Sequence, residues 1–521
     1  MLRTTSLLSA FILAVLTFPT SAQISFGGEP YGLDRANALP EAPVVVMPEV
    51  DEEALKAEDA IRLQSGKQGP YRFGFNHVVD LGLDNSGVWK SLPNGDQVWR
   101  LGVECPSAYS INFKFDRYVV PEGARVFVYN TVGEVIGGFT AASNPGHQVL
   151  GVTQVPGDRI TIEYIEPANV AGRGELHIDQ VTHAYRDIVG SAPSLNESGS
   201  CNNNVICPEG DPWRNQIRSV AMITVGGDGI CTGQLINNCA DDGTPYFLTA
   251  RHCTQGENVG TWVFRFNWDS PTCSPTSNAP TNRTVSGATM KATVSNADAA
   301  LIQLNSTPPE SYNVFYTGWD KRNIAATSAT AIHHPSGDIK KISFENQAVV
   351  STTYGGAQVW KVNAWDDGTT EGGSSGSGLW NQNGLLVGQL YGGDASCGFN
   401  FNDYYGKLAT SYSSFTQWLG DCGDQLEGYP LTTGLAKDMK GGQLGLYPNP
   451  TNGSVTISLP NTSGTIGIRV LDAVGRLVME NTLNASGDQV TVDLSGEPEG
   501  IYSIQLLTVE ERYVSRLVLT R

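Results

Sequence analysis

Short runs rich in Val, Ile, Thr and Tyr, cut apart every few residues by glycine or proline, constrain this chain more than any other feature. β-Branched and aromatic side chains suit a pleated, half-buried surface, and Gly and Pro supply the turns between strands. The chain has 59 glycines and 27 prolines among 521 residues, and long helical periodicity is scarce. An all-β protein is expected. That length exceeds one ordinary core, so two to four domains follow. No fixed period marks a solenoid or other repeat array.

The first residues have the pattern of a secretory signal, expected to span 1–22. Arg3 gives a positive start, an apolar run follows from Leu7 to Phe18, and Thr20-Ser21-Ala22 offers small residues for cleavage. The apolar run is too short for a membrane span, and no later run is longer. Nine cysteines then enter a compartment where disulfides persist, and the odd count leaves at least one without a partner in the chain. A formal net charge of −19 argues against nucleic-acid binding and favours cationic substrates.

From about Gln23 to Leu63 the sequence is Pro/Ala/Glu-rich, and an extended or poorly ordered start is expected. Strand-like runs follow at Val98–Val103, Ser110–Phe115, Ala124–Tyr129, Arg159–Tyr164 and Glu175–Val181, a β domain without a cluster of catalytic residue types. It closes the region 23–198. Nearly all the chemistry-bearing residues fall in 199–422. A linker, 423–443, leads to a small β domain, 444–521, with alternating runs at Val455–Leu459, Ile466–Leu471, Val490–Leu494 and Tyr502–Leu507.

Three segments in the region 199–422 draw attention together. In Tyr246-Phe247-Leu248-Thr249-Ala250-Arg251-His252-Cys253 a hydrophobic strand ends at a histidine beside a cysteine. Gly372-Gly373-Ser374-Ser375-Gly376-Ser377-Gly378 precedes a strand-like Leu385–Leu390, and Asp298 opens the apolar run Ala299–Leu304. A serine hydroxyl needs a base to take its proton as it attacks a carbonyl, and His252 suits that task. Asp298 would fix the imidazole tautomer, and the N–H groups of Gly373 and Ser375 would face the developing oxyanion. The order His, Asp, Ser is that of chymotrypsin-type enzymes.

The region from Gly199 to about Leu419 resembles the lysyl endopeptidase branch of the trypsin-like serine proteases. The matching pieces are Gly199-Ser200-Cys201, Cys207-Pro208-Glu209-Gly210-Asp211, Cys231-Thr232-Gly233, Tyr246–Cys253, Gly318-Trp319-Asp320, Ala331-Ile332-His333-His334-Pro335, Thr370-Glu371, Gly373–Ser377 and Gly388-Gln389-Leu390. The resemblance implies a chymotrypsin-like double β-barrel, triad roles for His252, Asp298 and Ser375, and disulfides Cys201–Cys397, Cys207–Cys273 and Cys231–Cys253. Cys239 and Cys422 flank the domain and could pair with each other, which leaves Cys105 as the odd one. It also implies protein or peptide substrates; no cofactor or metal site is expected, and calcium binding stays open.

Specificity needs a separate argument. The position six residues before the nucleophile, where trypsin carries its cation-binding acid, is Thr369. The resemblance instead points to Asp403 in Asp403-Tyr404-Tyr405-Gly406 as partner of a lysine ammonium, with Glu371 as the second candidate acid and Asp366 and Asp367 solvated. Where the family carries an aromatic-and-histidine pair beside the triad, this chain has Tyr354 and Tyr391. Neighbouring His333 and His334 point to opposite faces of a strand, so packing is expected of them and not a shared ion. Arg186-Asp187-Ile188-Val189-Gly190 looks like a trypsin activation site, but Ser374 stands where that mechanism requires an aspartate.

The region before Cys201 resembles the propeptides of these proteases, expected to assist folding and mask the site. No lysine lies between Lys114 and Lys291, so maturation near residue 200 needs an arginine cut, another protease or a non-basic bond. The tail, with Leu446-Tyr447-Pro448-Asn449-Pro450-Thr451, Leu471-Asp472-Ala473-Val474-Gly475-Arg476-Leu477 and Gly500-Ile501-Tyr502, resembles the C-terminal sorting domain of the type IX secretion system, with an Ig-like β-sandwich fold. It implies that machinery as a partner and a secreted or cell-surface location. The expected activity is that of a secreted serine endopeptidase cutting after basic residues, lysine preferred. The rival readings are a basic-residue protease accepting arginine equally, a protease-fold adhesin, and an esterase or glutamyl-type protease.

Overall fold

The computed structural model describes residues 24–34, 39–64, 69–190, 198–274, 281–430, 445–458, 464–471, 477–485, 489–507 and 512–520. The expected signal segment, most of the linker and the turn between Leu471 and Leu477 lie outside the described residues. Two compact units divide the chain, residues 1–431 and 432–521. Among the described residues, no helix is long and apolar enough to cross a membrane.

The all-β expectation holds throughout. In the first unit the N-terminal region forms two sheets over one core. One runs Val44–Val46, Gln97–Glu104, Arg159–Glu166, Arg125–Asn130, Val135–Phe139, with Val88–Ser91 also on Gln97–Glu104. The other runs Gly74–Gly82, Glu175–Ala184, Ser110–Val119, Leu150–Pro156. Side chains such as Leu101, Phe113, Val128, Leu150 and Ile162 fill the space between them. Glycine-rich Val135–Phe139 and amphipathic Gly74–Gly82 escaped the sequence reading.

The expected disorder of the start is corrected over part of its length. Val44–Val46 pairs in parallel with Gly102–Glu104, and Glu52–Gln64 is a helix. Asp51 caps that helix by accepting from the Ala54 N–H (3.0 Å). Its buried Asp59 holds Arg72 (2.7 Å) and Arg186 (3.0 Å) and accepts from the Tyr185 hydroxyl (2.7 Å). So short a helix is marginal alone, and these partners from far along the chain fix it.

Two antiparallel sheets then make the double-barrel body. The first runs Thr284–Ser286, Val263–Phe266, Val220–Val225, Gly229–Leu235, Tyr246–Ala250, Ala299–Leu304, Ala288–Val294, around Ile223, Phe247, Phe264 and Ile302. The second centres on Lys341–Glu345, Ala329–His333, Gly378–Asn381, Leu386–Gly393, Phe401–Lys407, Ala357–Ala364 and Val350–Tyr354, with Trp360, Leu379, Leu390 and Tyr405 inside. Strands such as Val220–Val225, Gly229–Leu235 and Gly378–Asn381 are buried along their whole length and lack a clean apolar/polar alternation.

The N-terminal region docks on the first of these sheets. Tyr71–Arg72 adds a short strand to Gly229–Ile230, and Phe73 is buried with Met222, Ile230, Trp268 and Ile339. Arg265, fully buried, donates to Gln154 Oε1 (2.6 Å) and to the Ile188 carbonyl (3.0 Å). Burial lowers its pKa to about 10.

The second unit has a three-stranded sheet, Gly445–Tyr447, Ser454–Ser458, Gln489–Asp493, and a four-stranded one, Leu477–Ala485, Gly464–Leu471, Gly500–Leu507, Arg512–Leu519. Val455, Ile457, Ile468, Val470, Ile504 and Leu517 form its core.

Candidate active site

His252 lies in the short helical turn Arg251–Thr254 that follows the strand Tyr246–Ala250, and Asp298 directly precedes the strand Ala299–Leu304. Those strands pair, with Ala250 opposite Ala299. The pairing alone brings the two residues to one rim of the first barrel. Asp298 sits in the left-handed region (φ 46°), and its carbonyl accepts from Arg251 N (2.8 Å) and Gln389 Nε2 (3.3 Å). Its carboxylate grips the histidine twice: Oδ1 accepts from the His252 backbone N–H (2.9 Å) and Oδ2 lies 2.7 Å from Nδ1. Both side chains are at least nine-tenths buried, at 8% and 5% exposure. The buried Nε2 of His252 makes no hydrogen bond with the described residues.

Ser375 reaches the same place from the second barrel. Its carbonyl accepts from Thr232 N (2.8 Å), and Cys253 Sγ lies 4.0 Å from that oxygen. The disulfide Cys231–Cys253 ties the histidine's loop to the strand bearing Thr232. It closes a 22-residue separation, worth about 3 kcal/mol in a chain-entropy account. Tyr391 stacks on the His252 ring at 6.0 Å and 27°. Next to it in the chain, the Leu390 carbonyl accepts from Gly376 N (2.9 Å) and its N–H donates to Ser377 O (2.8 Å).

The loop around the serine is tightly bonded. Ser374 N donates to Glu371 O (3.1 Å), Ser377 N to Ser374 O (2.9 Å), and Thr232 Oγ1 to the Gly373 carbonyl (2.8 Å). These turn bonds use the N–H groups of residues 374, 376 and 377, the neighbours of the two amides assigned to the oxyanion. Gly373 has φ +91°, and a Cβ there would come 2.9 Å from the His334 carbonyl. Only glycine fits comfortably.

Asp403 is wholly buried. Its Oδ2 accepts from Thr370 Oγ1 (2.6 Å) and Trp365 Nε1 (2.8 Å). A Cβ on Gly393 would lie 2.3 Å from Oδ1. The carboxylate therefore stands between the segment leading into Ser375 and the strand that carries Tyr391. The sequence assigns no role to Thr370, Trp365 or Gly393, nor to Tyr404, which stacks on Tyr354 at 4.1 Å. Tyr354 meets Tyr391 edge-on at 5.3 Å. Burial, then Asp298 and Tyr354, push the Tyr391 phenol above its ordinary pKa.

Glu371 requires a correction. Its Oε1 accepts from Gly199 N (2.9 Å) and Asn202 Nδ2 (3.0 Å), and Oε2 from Ser336 Oγ (2.8 Å). It anchors the segment around Gly199 and is not placed as a pocket acid. Asp366 and Asp367 are exposed, as expected. His333 and His334 are both buried and turn to different partners, Ser374 and the Asp338 carbonyl. Burial, reinforced by Lys340, holds His334 well below its ordinary pKa.

All three implied disulfides form, and Cys239 pairs with Cys422. Cys105 is free and buried. Among the described residues one set of possible metal ligands converges, Cys231, His252 and Cys253. Its sulfurs are bonded to each other, so it offers no thiolate.

A histidine gripped by a buried carboxylate, with Ser375 held against the same loop, is the arrangement that serine proteases of the trypsin-like class use. Residues 195–406 match the family described as "Lysyl endopeptidase, C-terminal domain", and 445–520 the family "Secretion system C-terminal sorting domain". The middle of the chain is thus similar to lysyl endopeptidases and its C-terminal part to secretion-system sorting domains. The lysyl endopeptidase of Pseudomonas aeruginosa is 33% identical over 294 residues, 51% of this chain, which spans 62% of that protein. Two solved structures are similar over part of the chain. The MamO protease domain of Magnetospirillum magneticum is 12% identical, covering 39% of this chain and 97% of that one, with a TM-score of 0.27. A Glu endopeptidase is 19% identical, covering 43% and 98%, with a TM-score of 0.29.

Proposed function

We propose that this chain is a secreted serine endopeptidase that hydrolyses peptide bonds after basic residues, lysine above all. The observation that carries it is the double grip of Asp298 on His252, 2.9 Å to the backbone N–H and 2.7 Å to Nδ1, with Ser375 packed against the same loop.

In this reading Asp298 keeps the proton on Nδ1, so the lone pair of Nε2 is available as base. His252 takes the Ser375 Oγ proton as the oxygen bonds to the scissile carbonyl carbon, and the oxyanion forms against the Gly373 and Ser375 N–H groups. When the C–N bond breaks, His252 returns the proton to the leaving amine and an acyl-serine remains. Water then repeats the sequence, giving its proton to His252, and the acid product leaves. Tyr391 and Tyr354 wall the site and limit how far the ring can turn.

The P1 lysine is proposed to point toward Asp403. Thr370 and Trp365 donate to Oδ2, and Oδ1 faces Gly393, where a side chain would otherwise occupy the space. An ammonium there makes a charge-assisted bond in a desolvated pocket. The name of the Pseudomonas relative accords with lysine. The region 23–198 is proposed as a propeptide that supports folding. Among the described residues its polar contacts gather on the first barrel, at Gly226, Gly227, Gly260 and Thr224, with Ser198 also on Asp338. The C-terminal domain is proposed as the address read by the secretion machinery.

A peptide series differing only at P1, with Lys, Arg, Glu, Leu and Ala, tests the proposal on the processed protein. Lysine is expected first, and cleavage requires Ser375, so S375A is inert. Preference for glutamate would overturn the role of Asp403, and an active S375A would overturn the mechanism.

A further inference from the structure

His333 stands outside the triad, yet its ring is wholly buried and reaches the residue immediately before the nucleophile. Nδ1 lies 2.8 Å from Ser374 Oγ and Nε2 lies 3.1 Å from Ser343 Oγ. Ser343 Oγ donates to the Thr369 carbonyl (2.6 Å), and Ser374 Oγ accepts from the Glu371 N–H (3.3 Å). Ser343, Ser374 and Thr369 are each fully buried.

Proton counting makes this chain of bonds directional. A hydroxyl has one proton. Ser343 places its proton on Thr369, so at the His333 contact it must accept, and Nε2 carries the hydrogen. In a neutral imidazole Nδ1 is then the acceptor, so Ser374 donates to it, while the Glu371 N–H fills a lone pair on Ser374 Oγ. One tautomer satisfies these four contacts. The chain begins at the Glu371 N–H and ends at the Thr369 carbonyl, both just before the glycine-serine loop, and it grips that loop only at Ser374.

Ser374 lies between Gly373 and Ser375, whose N–H groups are assigned to the oxyanion. Fixing its side chain helps set the Ser374–Ser375 peptide plane, which carries the Ser375 N–H donor. We infer that His333 is a positioning residue for the oxyanion hole, acting through Ser374. The inference rests on the reading of Ser375 as nucleophile. Acyl-transfer catalysis depends on donors aimed in advance at the transition-state oxygen, and loss of one donor costs roughly 10²–10³ in turnover. Mis-aiming that donor should cost less than losing it, about 10- to 100-fold.

The test uses the processed protein with a P1-lysine peptide and a P1-lysine peptide aldehyde, whose hemiacetal oxygen occupies the oxyanion position. S374A removes the grip with the loss of one oxygen atom. H333N retains an acceptor near the Nδ1 position but nothing at Nε2, and H333Q retains a donor near Nε2 but nothing at Nδ1. S374A and H333Q are expected to lower kcat about 10- to 100-fold, with KM within about twofold and aldehyde affinity falling in step with kcat. H333N should keep more activity than H333Q, and the H333Q/S374A double variant should be no worse than the poorer single one. Full kcat in S374A overturns the inference, as do multiplicative losses in the double variant or an H333N as impaired as H333Q. If the histidine variants fail to fold, S374A decides alone. A wild type that cuts nothing and takes up no fluorophosphonate removes both function and inference, whereas an active wild type with an unaffected S374A removes the inference alone.

Discussion

Replacing Asp403 by Asn tests the specificity pocket with almost no change of shape. The side chain is wholly buried, and Oδ2 holds Thr370 at 2.6 Å and Trp365 at 2.8 Å. An amide oxygen can still accept from both, so the fold should persist. What disappears is the charge beside Gly393. A lysine ammonium entering the variant would be desolvated without a counter-ion, and breaking a buried pair by removing one member costs about 3–5 kcal/mol. At 1.36 kcal/mol per tenfold, kcat/KM for a P1-lysine peptide should fall by about 10²–10⁴. A P1-leucine peptide, which gains nothing from the carboxylate, should change by less than about threefold. Steady-state kinetics on the two peptides, with thermal melts to show that the variant is folded, give the ratio directly. A loss below about threefold on lysine, or equal losses on lysine and leucine, would refute the placement of the P1 ammonium at Asp403.

Three further outcomes follow from other parts of the molecule. In D298N the amide can still accept from the His252 N–H but presents NH₂ to Nδ1, which forces the other tautomer, and kcat should fall about 10⁴-fold with KM little changed; progress curves at high enzyme concentration measure it. In G406A the added methyl would lie 1.8 Å from the Ala297 carbonyl, beside Asp298, so activity should drop at least about tenfold, together with an overpacking cost of about 1–3 kcal/mol in a denaturant melt. Burial, with Asp158 and Glu104 nearby, pushes the Cys105 thiol up to about 12, so near pH 8 it is protonated as well as enclosed. Mass spectrometry should find it unalkylated by iodoacetamide in the native protein and alkylated after denaturation.

How far the sequence reaches differs from one feature to another. Three barrel strands, Tyr246–Ala250, Ala299–Leu304 and Leu386–Gly393, and the alternating runs of the tail were legible because apolar runs between turn residues have one economical outcome. The helix Glu52–Gln64 was not, because Arg72, Tyr185 and Arg186 hold its Asp59 from outside the segment. At the site, His252 and Asp298 share a rim because adjacent paired strands end there, and the motifs around them mark that place. Glu371 misled for a physical reason: an acid four residues before Ser375 looks like a pocket group, but its donors Gly199 and Asn202 come from about 170 residues upstream. The same limit hid Thr370, Trp365 and Gly393 around Asp403, and the chain of bonds from Thr369 through His333 to Ser374. Local pattern names the chemistry, and only the folded chain says which neighbour each group faces.

The central claim is that His252 makes one particular hydroxyl nucleophilic. Incubating the processed protein with a fluorophosphonate and mapping the adduct by peptide mass spectrometry tests this directly. A single phosphonyl group on Ser375, absent from H252A and from the denatured protein, is the predicted result. No adduct on a folded, processed wild type, or an adduct on another serine with Ser375 unmodified, would contradict it.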